Sequence, residues 1–569
     1  MTEEGSLSAP LFIGIWGVSM KLRRKLPGGF VLALLALTAH AEDIATGTVF
    51  EDLNGNGRLD AGEPGIPGVR VSDGETVRLT DESGRYRLEI GSEAVIFITK
   101  PRGYATPVNE HQLPRFFYIH QPEGSPPMRY PGIAPTGPLP EVIDFPLIAQ
   151  AEPSRFEALL FSDTQPMTTA ELDYIRDDVL AELVGTEAKF GMTMGDVTYD
   201  DLSVMPRLNR LIAQLGIPWY NVPGNHELNF DAVDDRYSLE TFKRYYGPPY
   251  YAFEYGEALF VVLDNIEYQG SGQSDPGDVR GNGGYIANFG KRQLTWLRRE
   301  LAHVPEDRLI FLAMHSPLET YLSDGPGVTT QDRRELFKLI SGRENLYAVA
   351  GHTHTTEHHY FGEDDGFKGP GKLHHHILAT VSGAWWSGPF DPRGIPTTDQ
   401  ADGTPNGYHV LEVDGVAMSV RFKAAGKSAD YQMRILYDVA HHGLRLDGMR
   451  DFRAGELHDG RFSVESVPAA EVIVNLFDGG PNSRVTFRID GGPEQPMRRV
   501  RRPDPYMVEN FIRNADTKKS WLRAAPSSHL FSADLPDDLA AGTYTLSVQA
   551  VDEFGRTHHG HSILEITGS

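Results

Sequence analysis

Five short polar stretches, each placed after an apolar run of strand length, most constrain what this chain can fold into. The apolar runs cover residues 159–161, 190–194, 219–222, 309–314 and 346–350. The polar stretches are Asp163-Thr164-Gln165, Gly195-Asp196-Val197-Thr198-Tyr199-Asp200, Gly224-Asn225-His226-Glu227, His315-Ser316-Pro317 and Gly351-His352-Thr353-His354. In a sheet with helical crossovers, side chains just past the C-terminal strand ends converge on one edge. The sequence therefore predicts one site from residues that lie far apart in the chain.

The chemistry of these stretches indicates divalent metals. They offer carboxylates, imidazoles and side-chain amides, and the chain has no cysteine. Oxygen and nitrogen donors of this kind suit a pair of divalent cations. The lack of cysteine also excludes disulfides, thiolate nucleophiles and sulfur-ligated zinc. The net charge of −25 repels nucleic acid and anionic lipid, which argues against both as general partners.

Apolar periodicity predicts helices between the central strands. A capping box at Thr168 to Glu171 opens the first, and others are expected over residues 205–215, 291–301 and 330–340. A hairpin is expected over residues 251–263. Strands that alternate with helices predict an α/β sandwich, placed at residues 153–427. With 569 residues, the chain has room for further domains on either side.

The first 41 residues have the pattern of an export signal. A basic start at residues 21–25 precedes an apolar core, residues 30–37, that is too short to span a bilayer. A small-x-small cleavage site, Ala39-His40-Ala41, follows. We read residues 1–41 as a dispensable start plus signal peptide, and the mature chain as an exported, periplasmic or extracellular protein that begins at Glu42. The alternative is an uncleaved N-terminal anchor; no later stretch has transmembrane length.

Residues 42–152 are predicted to form an N-terminal β-sandwich that ends in a proline-rich stretch, residues 101–152, which is either a linker or an extended wrap along a neighbouring domain. A twelve-residue segment within it matches a calcium loop at every liganding position, with Gly57 sixth. Its ligand positions are Asp52, Asn54, Asn56, Arg58 (through its carbonyl), Asp60 and Glu63. Residues 44–100 resemble the calcium-clipped B-type repeats of bacterial surface and secreted proteins, which implies bound calcium; the alternative is a plain solvated turn.

Residues 428–569 return to short strands separated by glycine-rich turns. This pattern predicts a C-terminal β-sandwich of immunoglobulin type. It contains no combination of residues that indicates catalysis. The fold class is therefore α/β, with a central α/β sandwich flanked by two β-sandwich domains.

The five polar stretches resemble the motifs of the calcineurin-like metallophosphoesterase superfamily over about residues 155–385. The family order is Asp-x-His, Gly-Asp-x-x-Asp/Asn, Gly-Asn-His-Asp/Glu, a lone His, then Gly-His-x-His. The first stretch departs from it, because Gln165 stands where the family has histidine. The flanking regions resemble those of secreted bacterial members, and one branch of the family carries Asp-x-Gln.

The resemblance implies two metal ions, of the manganese, iron or zinc type. The first would be held by Asp163, Gln165, Asp196 and His354, and the second by Asp196, Asn225, His315 and His352. Asp196 would bridge them, so that both cations could activate one water for attack at phosphorus. The neutral amide of Gln165 should favour oxygen-preferring ions such as manganese.

The resemblance also assigns roles to two neighbouring residues. His226 would act as the acid that protonates the leaving oxygen or stabilises the transition-state charge, and Glu227 would orient its ring. The expected activity is an exported two-metal phosphoesterase acting on a phosphate mono- or diester. The alternative is an adhesin-like or glycan-binding protein on a degenerate phosphoesterase scaffold. The identity of the phosphate-ester substrate and the oligomeric state stay open.

Two further groups of residues near the last motif have competing interpretations. His358, His359 and residues 374–376 either line the mouth of the site or simply alternate across strands, and we favour the second. Trp385 and Trp386 either stack on a substrate ring or pack a domain junction.

Overall fold

The computed structural model describes residues 43–271, 284–439 and 460–568. The predicted start and signal peptide, residues 1–41, therefore lie outside the described part of the chain. Within the described ranges, no helix is both long enough and apolar enough to cross a membrane.

Eight strands of the N-terminal region form two four-stranded sheets, ordered β4-β1-β8-β6 and β3-β2-β5-β7. The strands are β1 (Asp43–Glu51), β2 (Arg70–Ser72), β3 (Val77–Leu79), β4 (Arg85–Ile90), β5 (Ala94–Ile98), β6 (Tyr104–Ala105), β7 (Phe117–His120) and β8 (Phe145–Ala149). In β4, Tyr86, Leu88 and Ile90 are buried while the residues between them are exposed. This alternation is typical of a sheet with one face in water.

The N-terminal region shares its core with the central region. Arg70 pairs with Glu254 at 2.6 Å and with Glu300 at 3.0 Å. The ring of Phe97 packs against that of Trp296, with centroids 6.2 Å apart. The stability of the N-terminal sheets is therefore coupled to that of the central fold.

Two mixed sheets carry the central region, with orders β11-β10-β9-β20-β21 and β12-β13-β16-β17-β19-β18, and β14 and β15 form a separate pair. The strands are β9 (Arg155–Phe161), β10 (Gly191–Thr193), β11 (Trp219–Asn221), β12 (Tyr251–Tyr255), β13 (Ala258–Val262), β14 (Ile266–Tyr268), β15 (Tyr285–Ala287), β16 (Leu309–Ala313), β17 (Leu346–Ala350), β18 (Glu357–Phe361), β19 (Leu373–Ile377), β20 (Gly407–Asp414) and β21 (Ala417–Ala424). Strands β9, β10 and β11 are parallel, as are β13, β16, β17 and β19.

Aromatic side chains fill the space between the two central sheets. The ring of Phe190 lies 5.0 Å from that of Phe260, and Phe156 packs 6.1 Å from Phe190. All three residues are buried. Side chains from both sheets thus interdigitate in one core, which confirms the predicted α/β sandwich.

The central helices occur where periodicity predicts them, except for the helix Glu240–Tyr246, which was not predicted. They are α1 (Thr169–Tyr174), α2 (Ala181–Leu183), α3 (Met205–Ile212), α4 (Glu240–Tyr246), α5 (Lys291–Leu301) and α6 (Arg333–Ile340). Thr168 caps α1 by accepting from the Glu171 N–H, as the capping pattern predicts. Between α1 and α2 the chain widens into a π-helical turn, Ile175–Leu180, so the first predicted helix is irregular at its centre.

The C-terminal region holds two further sheets, ordered β22-β24-β28-β27 and β23-β30-β29-β25-β26. Its elements are β22 (Met433–Val439), β23 (Arg461–Ser463), β24 (Ala470–Leu476), β25 (Arg484–Ile489), β26 (Gln495–Pro496), β27 (Arg498–Pro503), α7 (Pro505–Arg513), β28 (Pro526–Asp534), β29 (Gly542–Val551) and β30 (Thr557–Thr567). The last two strands, β29 and β30, form an antiparallel pair.

Candidate metal centre

The polar stretches follow the C-terminal ends of five aligned strands. Phe161, Thr193 and Asn221, the last residues of β9, β10 and β11, are in register with one another. In the facing sheet, Ala313 at the end of β16 is in register with Val349 of β17. The polar residues beyond these ends consequently meet at one edge of the sandwich, as the sequence predicts.

Backbone strain is concentrated in the predicted ligands. Five of them adopt positive φ angles, a conformation that is costly for residues other than glycine. The angles are 47° at Asp163, 36° at Gln165, 47° at Asp196, 76° at His352 and 51° at His354. Strain of this kind costs about 1–3 kcal/mol per residue and is concentrated at functional sites.

Three glycines of the motifs permit the close approach of the ligand loops. A Cβ on Gly195 would lie 2.4 Å from the ring of His315, and one on Gly351 would lie 2.3 Å from Asp163 Oδ2. A Cβ on Gly224 would lie 2.2 Å from the backbone nitrogen of Asp196. Any larger residue at these positions would push the ligand loops apart.

Asp196 lies at the centre of the predicted second-metal set. Its Oδ2 is 3.1 Å from His315 Nε2. That nitrogen is also 3.1 Å from Asn225 Oδ1 and 3.1 Å from His352 Nδ1. The four side chains therefore present donor atoms to one small volume, and Asp196, His315 and His352 satisfy the spacing of a metal site.

The predicted first-metal set also contacts Asp196. Gln165 Nε2 donates to Asp196 Oδ2 at 2.6 Å, and His354 Nε2 is 3.6 Å from Asp163 Oδ1. Among the described residues, Gln165 Oε1 and His354 Nε2 are buried without a hydrogen-bond partner. A buried polar atom left unsatisfied costs about 1–3 kcal/mol. A cation would satisfy both atoms, so the residues present fit a two-metal centre.

Outer contacts orient two of the histidines toward the centre. His315 Nδ1 is 2.8 Å from the carbonyl oxygen of Met194, and His354 Nδ1 is 2.7 Å from that of Gly383. Each carbonyl oxygen can accept a proton from Nδ1, which leaves the lone pair of Nε2 available to bind a metal. Ligating histidines are usually held in this way.

In the metal-free site, a proton on His315 would occupy the place of a cation. Burial alone would lower the pKa of His315, but the charge of Asp196 outweighs it and raises this pKa to about 9. Burial, reinforced by the neighbouring His315, lowers the pKa of His352 to about 3. Without a metal, Asp196 is thus balanced by a proton on His315, and metal binding would displace that proton.

His226 stands beside the ligands with a different set of contacts. Its Nδ1 is 2.6 Å from Asp200 Oδ1, and its ring stacks on Tyr199 with centroids 4.2 Å apart. Its Nε2 is 3.9 Å from Asp196 Oδ2. Burial would lower the pKa of His226, but the charge of Asp196 and the hydrogen bond to Asp200 raise it. The ring is therefore oriented by Asp200.

The expected role of Glu227 as the residue that orients His226 is wrong. Its carboxylate accepts from the backbone nitrogens of Thr198 and Gly224, both at 2.9 Å. These bonds tie the third polar stretch to the second. Burial and the nearby charge of Asp196 raise the pKa of Glu227 to about 7.

The second stretch departs from the family pattern as well as the first. Tyr199 occupies the position three residues after Asp196, where the family has Asp or Asn, and Asp200 follows it. Asp200 has no assigned role among the residues predicted from the sequence. The tyrosine at position 199 was the signal in the sequence that the carboxylate of this loop lies one residue later than in the family pattern, at Asp200.

The tryptophans near the centre favour packing over substrate stacking. Trp385 stacks on His354 with ring centroids 3.7 Å apart and meets Trp521 at 6.3 Å. Trp386 is buried and packs 5.6 Å from Tyr174. Trp385 thus supports a predicted ligand from behind.

The calcium-type loop in the N-terminal region closes on itself. Asp60 accepts from the side-chain amides of Asn54 and Asn56 at 2.8 and 2.7 Å. These hydrogen bonds lower the pKa of Asp60. Glu63, the last ligand position, accepts from the Asp60 N–H at 2.8 Å, and Gly57 has the positive φ of 73° that the turn requires. The predicted ligand side chains thus converge.

The solved structures that resemble this chain are distant from it. A dimetal phosphatase from Danio rerio is 15% identical, with a TM-score of 0.30, over 47% of this chain and 98% of that one. The purple acid phosphatase PPD1 from yellow lupin (Lupinus luteus) seeds is 14% identical, with a TM-score of 0.35, over 63% and 67%. CopC from Methylosinus trichosporium OB3b is 16% identical, with a TM-score of 0.11, over 17% and 76%. No curated protein matches the chain significantly.

Three family models match successive parts of the chain. The model described as Calcineurin-like phosphoesterase matches residues 158–356, the range that holds all seven predicted metal ligands. The N terminal of Calcineurin-like phosphoesterase matches residues 53–130, and the C terminal of Calcineurin-like phosphoesterase matches residues 375–558. The chain therefore belongs to the calcineurin-like metallophosphoesterase superfamily.

Proposed function

We propose that this protein is an exported phosphoesterase that uses two divalent metals to hydrolyse a phosphate mono- or diester. The observation that carries the proposal is the pair of ligand sets that share Asp196. Two unpartnered atoms, Gln165 Oε1 and His354 Nε2, point to a cation in the first set. The basic, apolar and small-x-small pattern of residues 21–41 supports export.

The residues that would hold the metals are the seven predicted ligands, with Asp196 common to both sets. Bound there, two divalent cations supply Lewis acidity, activation of water and stabilisation of charge at phosphorus. The chain fixes Asp196 for this purpose through the backbone N–H of His226, which donates to Asp196 Oδ1 at 3.0 Å. The neutral amide of Gln165 favours oxygen-preferring ions, manganese among them.

His226 is placed to move a proton during hydrolysis. Asp200 accepts the Nδ1 proton and leaves Nε2 directed at the centre, where it can protonate the leaving oxygen. The raised pKa of His226 keeps that proton on the ring over a wider pH range than in a free histidine. The side chain is 18% exposed, so that a substrate can reach it.

The test is hydrolysis of bis(p-nitrophenyl) phosphate and p-nitrophenyl phosphate by the purified protein. We expect turnover that needs added metal, with manganese among the effective ions, and the ratio of the two rates separates diesterase from monoesterase activity. The alternative, a glycan-binding protein on a degenerate scaffold, predicts no turnover of either ester. Metal-loaded protein that hydrolyses neither would contradict the proposal.

We also propose that the loop from Asp52 to Glu63 binds calcium. Saturating calcium should raise the melting temperature of the full-length protein, since an ion at a hundred times its Kd adds about 2.7 kcal/mol to the free energy of unfolding. Glu63→Ala should abolish that increase and leave turnover per folded molecule unchanged. The measurement is thermal unfolding after treatment with a calcium-selective chelator, with and without calcium.

Glu82→Ala is the matched control for the loop, because Glu82 is an exposed carboxylate of the same region that lies outside the loop. It should keep the full response to calcium. An identical melting temperature of the unaltered protein with and without calcium would show that the loop is a solvated turn.

A further inference from the structure

We propose a second, structural metal site of the zinc type, built from His358, His376 and Asp478 with His409 beside them. None of these residues belongs to the centre described above. His358 and His376 face each other on the neighbouring strands β18 and β19. His409 lies on β20 of the other central sheet, and Asp478 follows β24 of the C-terminal region.

The geometry brings three imidazole nitrogens to one carboxylate oxygen. Asp478 Oδ1 is 2.8 Å from His376 Nε2, 3.3 Å from His409 Nε2 and 3.4 Å from His358 Nε2. Ligand atoms of a tetrahedral zinc site with bonds of about 2.0–2.1 Å are about 3.3 Å apart. The donor atoms of His358, His376 and Asp478 also satisfy the mutual spacing of a metal site.

An unsatisfied atom indicates that the hydrogen bonds within the cluster are not sufficient. His358 Nε2 is buried without a hydrogen-bond partner in the described part of the chain. His358 Nε2 lies 3.4 Å from Asp478 Oδ1, yet the contact does not have hydrogen-bond geometry. A cation between the two would bind the lone pair of His358 Nε2 and would also balance the buried charge of Asp478.

The outer contacts resemble those that hold ligating histidines. His376 Nδ1 is 2.8 Å from the hydroxyl oxygen of Tyr347, and His358 Nδ1 is 2.8 Å from His374 Nε2. Each contact can accept an Nδ1 proton and turn Nε2 toward Asp478, the arrangement that metal sites use to fix the histidine tautomer.

Burial and donor type select the kind of ion. The three histidines are fully buried and Asp478 is 7% exposed, so the site is closed to substrate. Imidazole and carboxylate donors in a buried site are those of structural zinc, whereas calcium and magnesium prefer oxygen alone. The site would join both central sheets to the C-terminal region.

Close approach of the C-terminal region to this cluster depends on Gly480. A Cβ on Gly480 would lie 2.9 Å from the Cβ of His358. The turn after β24 can therefore bring Asp478 against the histidines only with glycine at this position. The close packing of Gly480 against His358 thus supports the contact between Asp478 and the histidines.

The experiment measures metal content in Asp196→Asn protein, in which the ligands shared by the catalytic pair are disrupted. We expect about one equivalent of zinc-type metal to remain, as for a structural site. Adding Asp478→Asn or His376→Gln should remove it and lower the melting temperature. His375→Gln is the matched control, since His375 is a buried neighbour that instead accepts from the Leu318 N–H at 3.1 Å, a bond that glutamine can keep.

Crystals of the Asp196→Asn protein provide a measurement that does not depend on the folding of the second variants. An anomalous peak at the zinc edge between His358 Nε2, His376 Nε2 and Asp478 is the expected result. Absence of a peak there, in protein produced with zinc in the medium, would overturn the proposal. An additional peak at His315 would contradict only the expected loss of the catalytic metals from Asp196→Asn, so the two failures are distinguishable.

Discussion

Asp196→Asn is expected to lose both metals of the catalytic centre together, and hydrolysis with them. Asp196 is the one predicted ligand common to both sets, and its Oδ2 contacts Gln165 of the first set and His315 of the second. Asparagine removes the negative charge that offsets the mutual repulsion of two cations about 3.5–4 Å apart. Elemental analysis should show a loss of about two equivalents relative to the unaltered protein.

Asp201→Asn is the matched control for this change. Asp201 lies in the same loop but caps the turn at Ser203, and asparagine can keep that hydrogen bond. The control should retain both catalytic metals and its activity. Retention of both metals by Asp196→Asn would show that the bridging assignment is wrong.

His226→Ala is expected to keep both metals and still slow the hydrolysis of an ester with a poor leaving group by roughly 10²–10⁴-fold. The reason is that His226 would supply the proton that such a leaving group needs. A nitrophenyl ester should suffer less, because its leaving group departs without a proton. The measurement compares kcat for both esters and the metal content of the variant.

His352→Ala provides the contrast to His226→Ala. His352 lies 3.1 Å from His315 Nε2 within the second-metal set, so its loss should reduce metal content. Both esters should then be slowed alike, since an incomplete metal pair fails before the leaving group matters. Equal losses on both esters for His226→Ala, with the metal gone, would place His226 among the ligands instead.

The position of the metal centre could be predicted from sequence because it depends on local rules. Each polar stretch follows an apolar run, and parallel strands place such stretches at one edge. Neither the strained backbone of Asp163 nor that of His352 was visible in the sequence. Those conformations depend on glycines and contacts from other loops.

The role of Glu227 was mispredicted because a local hydrogen bond competes with the imidazole. Glu227 lies three residues after Gly224 and bonds back to its N–H, the spacing of a capping box. That spacing was readable in the sequence. The partner of His226, Asp200, depends on how the preceding loop turns, and only the folded structure shows it.

The histidine cluster illustrates a different limit. Alternation along β18 and β19 correctly predicts that His358 and His376 share one face while His359 and His375 share the other. Nothing local indicates that the first face meets Asp478, which lies far away in the sequence in the C-terminal region. The division of the chain at residues 152 and 427 stays a prediction.

The ion pairs of Arg70 restrict how this chain can be recombined in evolution. Glu300, in the central region, is fully buried and receives its positive partner from β2 of the N-terminal region. Removing one partner of a buried pair typically costs about 3–5 kcal/mol. A gene fusion that exchanged the N-terminal sandwich would therefore have to bring a cation to the same place. We therefore expect the first two regions to be exchanged together.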